Sequence, residues 1–447
     1  MTEPTPATPV PPPARARPAL SDRLPFRLAL IVVAALALLV PLELIGELTR
    51  EREARRGEAV AGIHRGWGAA QNMVAPLLMV PVVDLAAASI DERGWVVVPA
   101  TRAALTVELG AEPRARGIFG TVVYRAAVAG ELAFAGLEAD APGFAGRRVL
   151  WDEALIVAPV TELRGLDGGA GIDLAGRRVP LVVRDAVAVP GLGTVRALVA
   201  PLGDGAIASG RLDLRLDFAL RGSVDMRITA LAREAVVRIR SAWPHPSFHG
   251  GLLPDERSIS ARGFDALWRS NLPHLPAMLD AATAALVEEA TLGVGLVDPV
   301  PTYRMVERAQ KYDLLLIAFT FLVFFLFETL WGARLHVVHY ALVGGALCLF
   351  YLLLLSFAEL VGFVPAYVAA SALVVAQAAL YGLSLLRSRE RAAAFGALLA
   401  GAYAYFFVLL MLESHALVAG ALALFAGLSA LMYVTRRIDW GAPMRAV

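Results

Sequence analysis

Apolar residues follow three regimes along this chain. Over residues 26–46, FRLALIVVAALALLVPLELIG, they run almost without interruption for the ~20 positions that a bilayer-crossing helix needs. From 47 to 310 no apolar run is long enough to cross, and most of the charge lies there. Beyond Lys311 the long runs return five times, over 312–331, 338–358, 363–386, 393–412 and 416–434. The pattern predicts six membrane helices. The connections among the last five are short, so consecutive helices are expected to pack as antiparallel neighbours.

Within 47–310 the period changes again. ELTREREARRGEAVAGIHRGWGAAQNM begins it as a helix continuing from the first span, with Val60, Ile63, Trp67, Ala70 and Val74 at three- and four-residue spacing. After that, alternation dominates. In GRLDLRLDFALRG, Leu212, Leu214, Leu216, Phe218 and Leu220 face one way and Arg211, Asp213, Arg215 and Asp217 the other. GWVVVP, ALTVEL, IFGTVVYRAAV, RVPLVVRDAVAV and EAVVRIRSAW read as further strands between Gly-, Pro- and Asp-containing turns. A helical stretch at about 277–291 precedes the return to the membrane. The fold class expected is an α-helical membrane protein with six transmembrane helices and a large β-rich, sandwich-like extracytoplasmic (periplasmic) domain.

Charge orients this arrangement. Arg15, Arg17, Arg23 and Arg27 precede or open the first run. No small-x-small cleavage site follows it, which favours an uncleaved signal anchor over a removed signal peptide. Arg334, the trio Arg387, Arg389 and Arg391, and Arg436, Arg437 and Arg445 occupy alternate connections, while 359–362 and 413–415 carry no Lys or Arg. The excess of positive charge on cytoplasmic loops then puts both termini in the cytoplasm and the central segment outside it. The resulting map is a disordered Pro-rich cytoplasmic tail at 1–25, a signal anchor at 26–46, a β-rich periplasmic domain at 47–310, a five-helix bundle at 312–434 and a cytoplasmic tail at 435–447. A hydrophobic content of 57% agrees with membrane residence, and a net charge of +1 offers no field to draw nucleic acid. The single cysteine, Cys348, sits in an apolar run and excludes an intrachain disulfide.

Candidate chemistry is sparse. No phosphate-binding loop, nucleophile elbow, H-E-x-x-H or C-x-x-C motif occurs. His245 and His249 in WPHPSFHGG have the spacing of a helical zinc pair, but Pro244 and Pro246 forbid a helix. A rigid aromatic corner, with Trp243 and Phe248 packed and the histidines partly exposed, is the plainer reading. Ser247 beside either histidine is the local guess for a hydrolase. GLDGGAGID, 165–173, lacks the series of oxygens a calcium loop needs and reads as a turn. No catalytic, cofactor or metal residue is therefore assigned.

Ionisable residues near the membrane sit at helix ends: Glu328 at one, and Lys311, Glu359, Glu413 and His415 at the other. Gln377 alone is polar near a midplane, which is thin support for a transporter. Lys311, the single lysine of the chain, reads as an interfacial anchor with Tyr312. The sharper alternative is an ion pair with Glu359 or Glu413. Ala419, Ala423 and Gly427 recur every four residues, a pattern for close helix packing within the bundle or, alternatively, for a dimer face.

Several stretches together resemble one family. EREARRGEAVAGIHRGWGAAQ (51–71), RGIFGTVVYRA (116–126), SAWPHPSFHGGLLPDERSISARGFDALW (241–268), the segment 308–356 beginning RAQKYDLLLIAFTF, and MYVTRRIDW (432–440) are similar to the CreD family, in order and over nearly the whole chain after the Pro-rich tail. The long Pro-rich N-terminus and Glu43 depart from the family pattern. The resemblance implies a bacterial inner-membrane protein with a periplasmic domain, tied to envelope stress through a sensor-kinase and response-regulator pair. It implies no catalytic residue and no cofactor. The expected partners are membrane lipids and a periplasmic or inner-membrane protein, with no nucleic acid. A transporter or lipid-handling protein is the alternative function.

Overall fold

The computed structural model describes residues 24–436 apart from 86–92, 164–165, 167–168, 208, 281–282, 298–301, 332–335, 387 and 413–414. The expected tails at 1–25 and 435–447 thus lie almost wholly outside the described residues. The chain divides into two compact units, Arg55–Pro299 and Met1–Ala54 with Val300–Val447.

The first unit is built from three sheets. The largest has the order β16 (Glu256–Ser260), β17 (Gly263–Asn271), β14 (Ala232–Ser241), β4 (Ala100–Arg116), β5 (Phe119–Ala135), β12 (Arg211–Ser223), β8 (Gly171–Leu174) and β9 (Arg177–Pro180). Its centre is the β4–β5 hairpin, closed by a two-residue turn in which Gly117 takes a φ of 65° ahead of Ile118. The six-stranded sheet runs β10 (Val182–Val189), β11 (Gly193–Pro201), β7 (Leu155–Pro159), β2 (Leu77–Asp84) and β3 (Arg93–Val98), with β6 (Arg147–Val149) beside β2. The smallest has the order β1 (Gln71–Val74), β13 (Asp225–Thr229), β18 (Thr291–Leu296) and β15 (Pro246–Gly250).

Burial follows the sequence period. Leu212, Leu214, Leu216, Phe218 and Leu220 of β12 are buried, and the alternating Arg and Asp are exposed. β2 does not alternate, because both of its faces are covered. Leu78, Val80 and Val82 enter the main core, while Leu77 and Met79 pack with Leu272, Leu275, Leu279 and Ala290 on the opposite face.

Two helical expectations are corrected here. The helix from the first span, α1 (Leu24–Trp67), stops at Trp67, so Ala70 and Val74 are not on it. At Gly68, φ is 145°, and a Cβ there would lie 2.8 Å from the Arg221 carbonyl oxygen. Only glycine admits that approach, and the chain turns out of the helix to pair β1 with β13 in parallel. Among the described residues the stretch at 277–291 is helical only over α2 (Thr283–Glu289), after which Thr291 opens β18.

The second unit is helical. α3 (Thr302–Gln310) is followed by α4 (Asp313–Trp331), α5 (Val337–Val361), α6 (Phe363–Leu386), α7 (Arg389–Met411) and α8 (Ala416–Thr435). Among the described residues four helices are long and apolar enough to cross a membrane: α1, α5, α6 and α7. α4 and α8 carry shorter apolar stretches, Asp313–Phe325 and Val418–Ser429. Interior packing is aromatic, with Phe350 meeting Tyr351, Tyr367 and Tyr403 at centroid distances of 5.0, 5.4 and 4.9 Å.

Candidate functional site

The prolines keep WPHPSFHGG out of a helix, and backbone pairing with β18 makes it an edge strand, β15. The aromatic residues pack as expected. Phe248 meets Phe264 and Trp268 edge-on, each at 5.7 Å, and the Trp243 indole donates to the Val297 carbonyl at 3.1 Å. The two histidines do not converge. The His245 ring lies edge-on to Trp243 at 6.5 Å. His249 Nε2 lies instead 2.7 Å from Asp225 Oδ1, on a strand two positions away across the sheet.

Register explains this reach. β18 separates β15 from β13, and it places Gly293 opposite both His249 and Arg227, and Gly295 opposite both Ser247 and Asp225. The central strand therefore has no side chain on this face at those two positions, and the imidazole lies over it. A Cβ at Gly293 would collide with the His249 ring and approach Arg227 Cγ at 3.2 Å. Asp225 is held from several sides. Arg227 Nε donates to its Oδ2 at 2.8 Å, and the Tyr124 hydroxyl donates to its main-chain oxygen at 2.7 Å. Burial raises the Tyr124 hydroxyl above the usual phenolic range and keeps it neutral.

This cluster is an acid–imidazole–guanidinium group on an open sheet face. Ser247 shares that face, two residues along β15, but among the described residues no hydrogen bond joins it to His249. The group can bind or hold a polar partner. Asp225 was not singled out from sequence, because it is 24 residues from His249. The alternating glycines of TLGVGL were the available signal, since glycine inside a strand marks a close approach. The calcium-like loop resolves differently. Asp173 Oδ1 accepts from Gly176 N at 2.8 Å and caps the β8–β9 turn, while 165 and 167–168 lie outside the described residues. Among the described residues no group of three or more His, Cys, Asp or Glu is placed to hold a metal ion.

In the helical unit Lys311 does not pair with Glu359. Its Nζ lies 3.0 Å from Glu307 Oε1, one turn back, and Glu413 is outside the described residues. The correction is a matter of reach: α3 and Lys311 are nearly continuous, so the i−4 carboxylate is nearest. Glu359 is engaged elsewhere. It accepts from the Tyr303 hydroxyl at 2.8 Å and stands 3.8 Å from Arg52. α3 makes two more polar links, Gln310 Nε2 to Thr49 Oγ1 at 2.8 Å and Arg308 to the Leu412 carbonyl at 2.6 Å. A short amphipathic helix, buried through Tyr303, Val306 and Ala309, thereby ties α1, α5 and the end of α7 together.

Gln377 is exposed on α6. The interior polar groups are instead the Tyr351 and Tyr403 hydroxyls, which are buried and have no hydrogen-bond partner among the described residues. The Tyr367 hydroxyl donates to the Tyr403 carbonyl at 2.8 Å.

Comparison with known proteins covers nearly the whole chain. A family model described as inner membrane protein CreD matches residues 23–441. The chain is 29% identical over 439 residues to the inner membrane protein CreD of Escherichia coli (strain K12), covering 95% of each.

Proposed function

The chain belongs to the inner membrane protein CreD family, and from that premise we propose that it is a non-enzymatic scaffold that maintains cell envelope integrity, as a stress-response component under two-component control. On this reading the chain crosses the inner membrane six times. Both termini are cytoplasmic and the segment 47–310 is periplasmic. The arginine-bearing loops at 332–337 and 387–392, alternating with loops that carry no Lys or Arg, support that orientation. The observation that carries the scaffold role is α1 itself. It is one helix of 44 residues in which the apolar segment passes into the charged segment without a linker.

The test has two parts. Alkaline phosphatase fused near position 200 should be active, and a fluorescent protein that folds only in the cytoplasm should be dark there. The opposite result removes the reading. Crosslinking from the periplasmic side, followed by purification, should then recover a defined envelope partner that is lost when the sheet face around Asp225 and His249 is mutated.

Lipid handling is the second reading. A lateral apolar groove between α4, α7 and α8 favours it over a transporter, for which a charged mid-depth site would be needed.

A further inference from the structure

The α4–α7–α8 groove has a volume of about 580 Å³. Leu315 to Leu322 of α4 line it over a rise of ~10 Å, and Ala397 to Phe406 of α7 over ~14 Å. Half of a ~30 Å hydrocarbon core is about 15 Å, so the groove has the depth of one leaflet. Its floor is open and not packed: neither Gly401 nor Gly427 has any atom within 4 Å of the Cβ it would carry. The Tyr405 hydroxyl is the polar group of the lining, and it is spent on the Ala419 carbonyl at 2.6 Å.

Nothing in that lining would hold water, because a buried water needs two or more polar partners. An empty groove would forfeit dispersion contacts along its whole length. The occupant must be apolar, narrow and extended. The protein belongs to an inner-membrane family, so hydrocarbon chains are what surrounds it.

The end of the groove defines the rest of the ligand. Leu315 lies four residues after Lys311, which stands with Tyr312 in the two-residue turn between α3 and α4, where Lys311 N bonds to Glu307 O at 3.0 Å and Tyr312 N to Ala309 O at 3.2 Å. Lys311 therefore stands just ahead of α4, at the end of the helix where the lining begins. Its side chain is 69% exposed and leans on Glu307 without being buried by it. Arg308 is committed to the Leu412 carbonyl, and Tyr312 packs edge-on against Phe406 at 6.1 Å, so of these three side chains Lys311 is the exposed cation. An ammonium on a flexible stem, just beyond an acyl-sized groove, matches a phosphate joined to a hydrocarbon chain.

We propose that the groove between α4, α7 and α8 binds one phospholipid, an acyl chain lying along Leu315–Leu322 and its phosphate meeting Lys311. The single lysine of the chain is then a headgroup ligand as well as an interfacial anchor. The scaffold role stands or falls separately, on the fusion and crosslinking results.

The full chain in detergent is titrated with dioleoyl phosphatidylglycerol and examined by native mass spectrometry. Dioleoylglycerol, with the same chains and no phosphate, is the control. Wild type should hold one phosphatidylglycerol after excess detergent has removed the rest. Gly401→Leu, which fills open space, should lower its occupancy about tenfold, equivalent to ~1.4 kcal/mol. Lys311→Gln should weaken phosphatidylglycerol about fivefold and leave dioleoylglycerol unchanged. Thermal unfolding of each variant verifies that it is folded. Undiminished binding in either variant, equal binding of the two lipids, or a second copy of the chain in the groove, seen as a dimer that Gly401→Leu dissociates, overturns the proposal.

Discussion

His249 Nε2 lies 2.7 Å from Asp225 Oδ1, and it reaches that carboxylate over a strand bare of side chains at Gly293 and Gly295. Removing a clash is thus the role of Gly293, where a Cβ would collide with the ring; at Gly295 a Cβ would make only ordinary contacts, 3.7–3.8 Å from Ser247 and His249. Gly293→Val should displace the ring and cost ~1–3 kcal/mol, the usual penalty of overpacking. His249→Ala alone should cost at most ~1 kcal/mol, since both partners are partly solvated. In the His249→Ala background Gly293→Val should cost distinctly less than in wild type. A double-mutant cycle on the detergent-solubilised protein, read by thermal unfolding, measures the difference.

Gln71 is the most connected buried polar side chain of the β-rich unit. It is 1% exposed, its amide donates to the Glu162 and Arg221 carbonyls, both at 2.8 Å, and its oxygen accepts from Glu162 N at 3.2 Å. Gln71→Leu leaves three main-chain groups without that partner. The expected loss is ~2–4 kcal/mol, visible as a lower Tm with the near-ultraviolet circular dichroism of the folded state retained below it.

Acid should weaken the large sheet in a defined direction. Arg238 donates to both Asp265 oxygens, at 2.9 and 2.6 Å, and holds that carboxyl below its usual range. Arg178 does the same for Asp217. A depressed folded value means that the stabilisation is complete above the unfolded carboxylate value, ~3.9, and is lost as pH falls through the folded one. Both pairs are open to solvent, so each contribution is small. Asp265→Asn should lower Tm slightly at neutral pH and make the decline of Tm below about pH 4 shallower than in wild type.

The two acidic residues near α3 should behave differently. Glu359 receives the Tyr303 hydroxyl in a largely buried setting, whereas Glu307 meets Lys311 in the open. Glu359→Ala should cost ~1–2 kcal/mol of thermal stability in detergent. Lys311→Ala should cost no more than ~0.5 kcal/mol. Equal losses in a thermal-shift measurement would show that α3 is not held by the Glu359 link.

The patterns legible in the sequence were those written over neighbouring residues. Alternation in β12 identified its buried face, and the five apolar runs after Lys311 correspond to α4–α8, because a helix or strand face is set by local period. Local period could not end α1. Val60, Ile63, Trp67, Ala70 and Val74 continue the helical spacing, and it is parallel pairing with β13, more than 150 residues away, that takes Gln71–Val74 into a strand. The same limit hid the site. His249 was visible as a histidine, but the approach of Asp225 and the need for a bare Gly293 between them come from the register of three strands. Lys311 meets the carboxylate of Glu307, four residues back, and not that of Glu359. Periodicity is a one-dimensional property and the chain carries it openly; which strands become neighbours depends on packing two core faces at once, and only the folded molecule decides that.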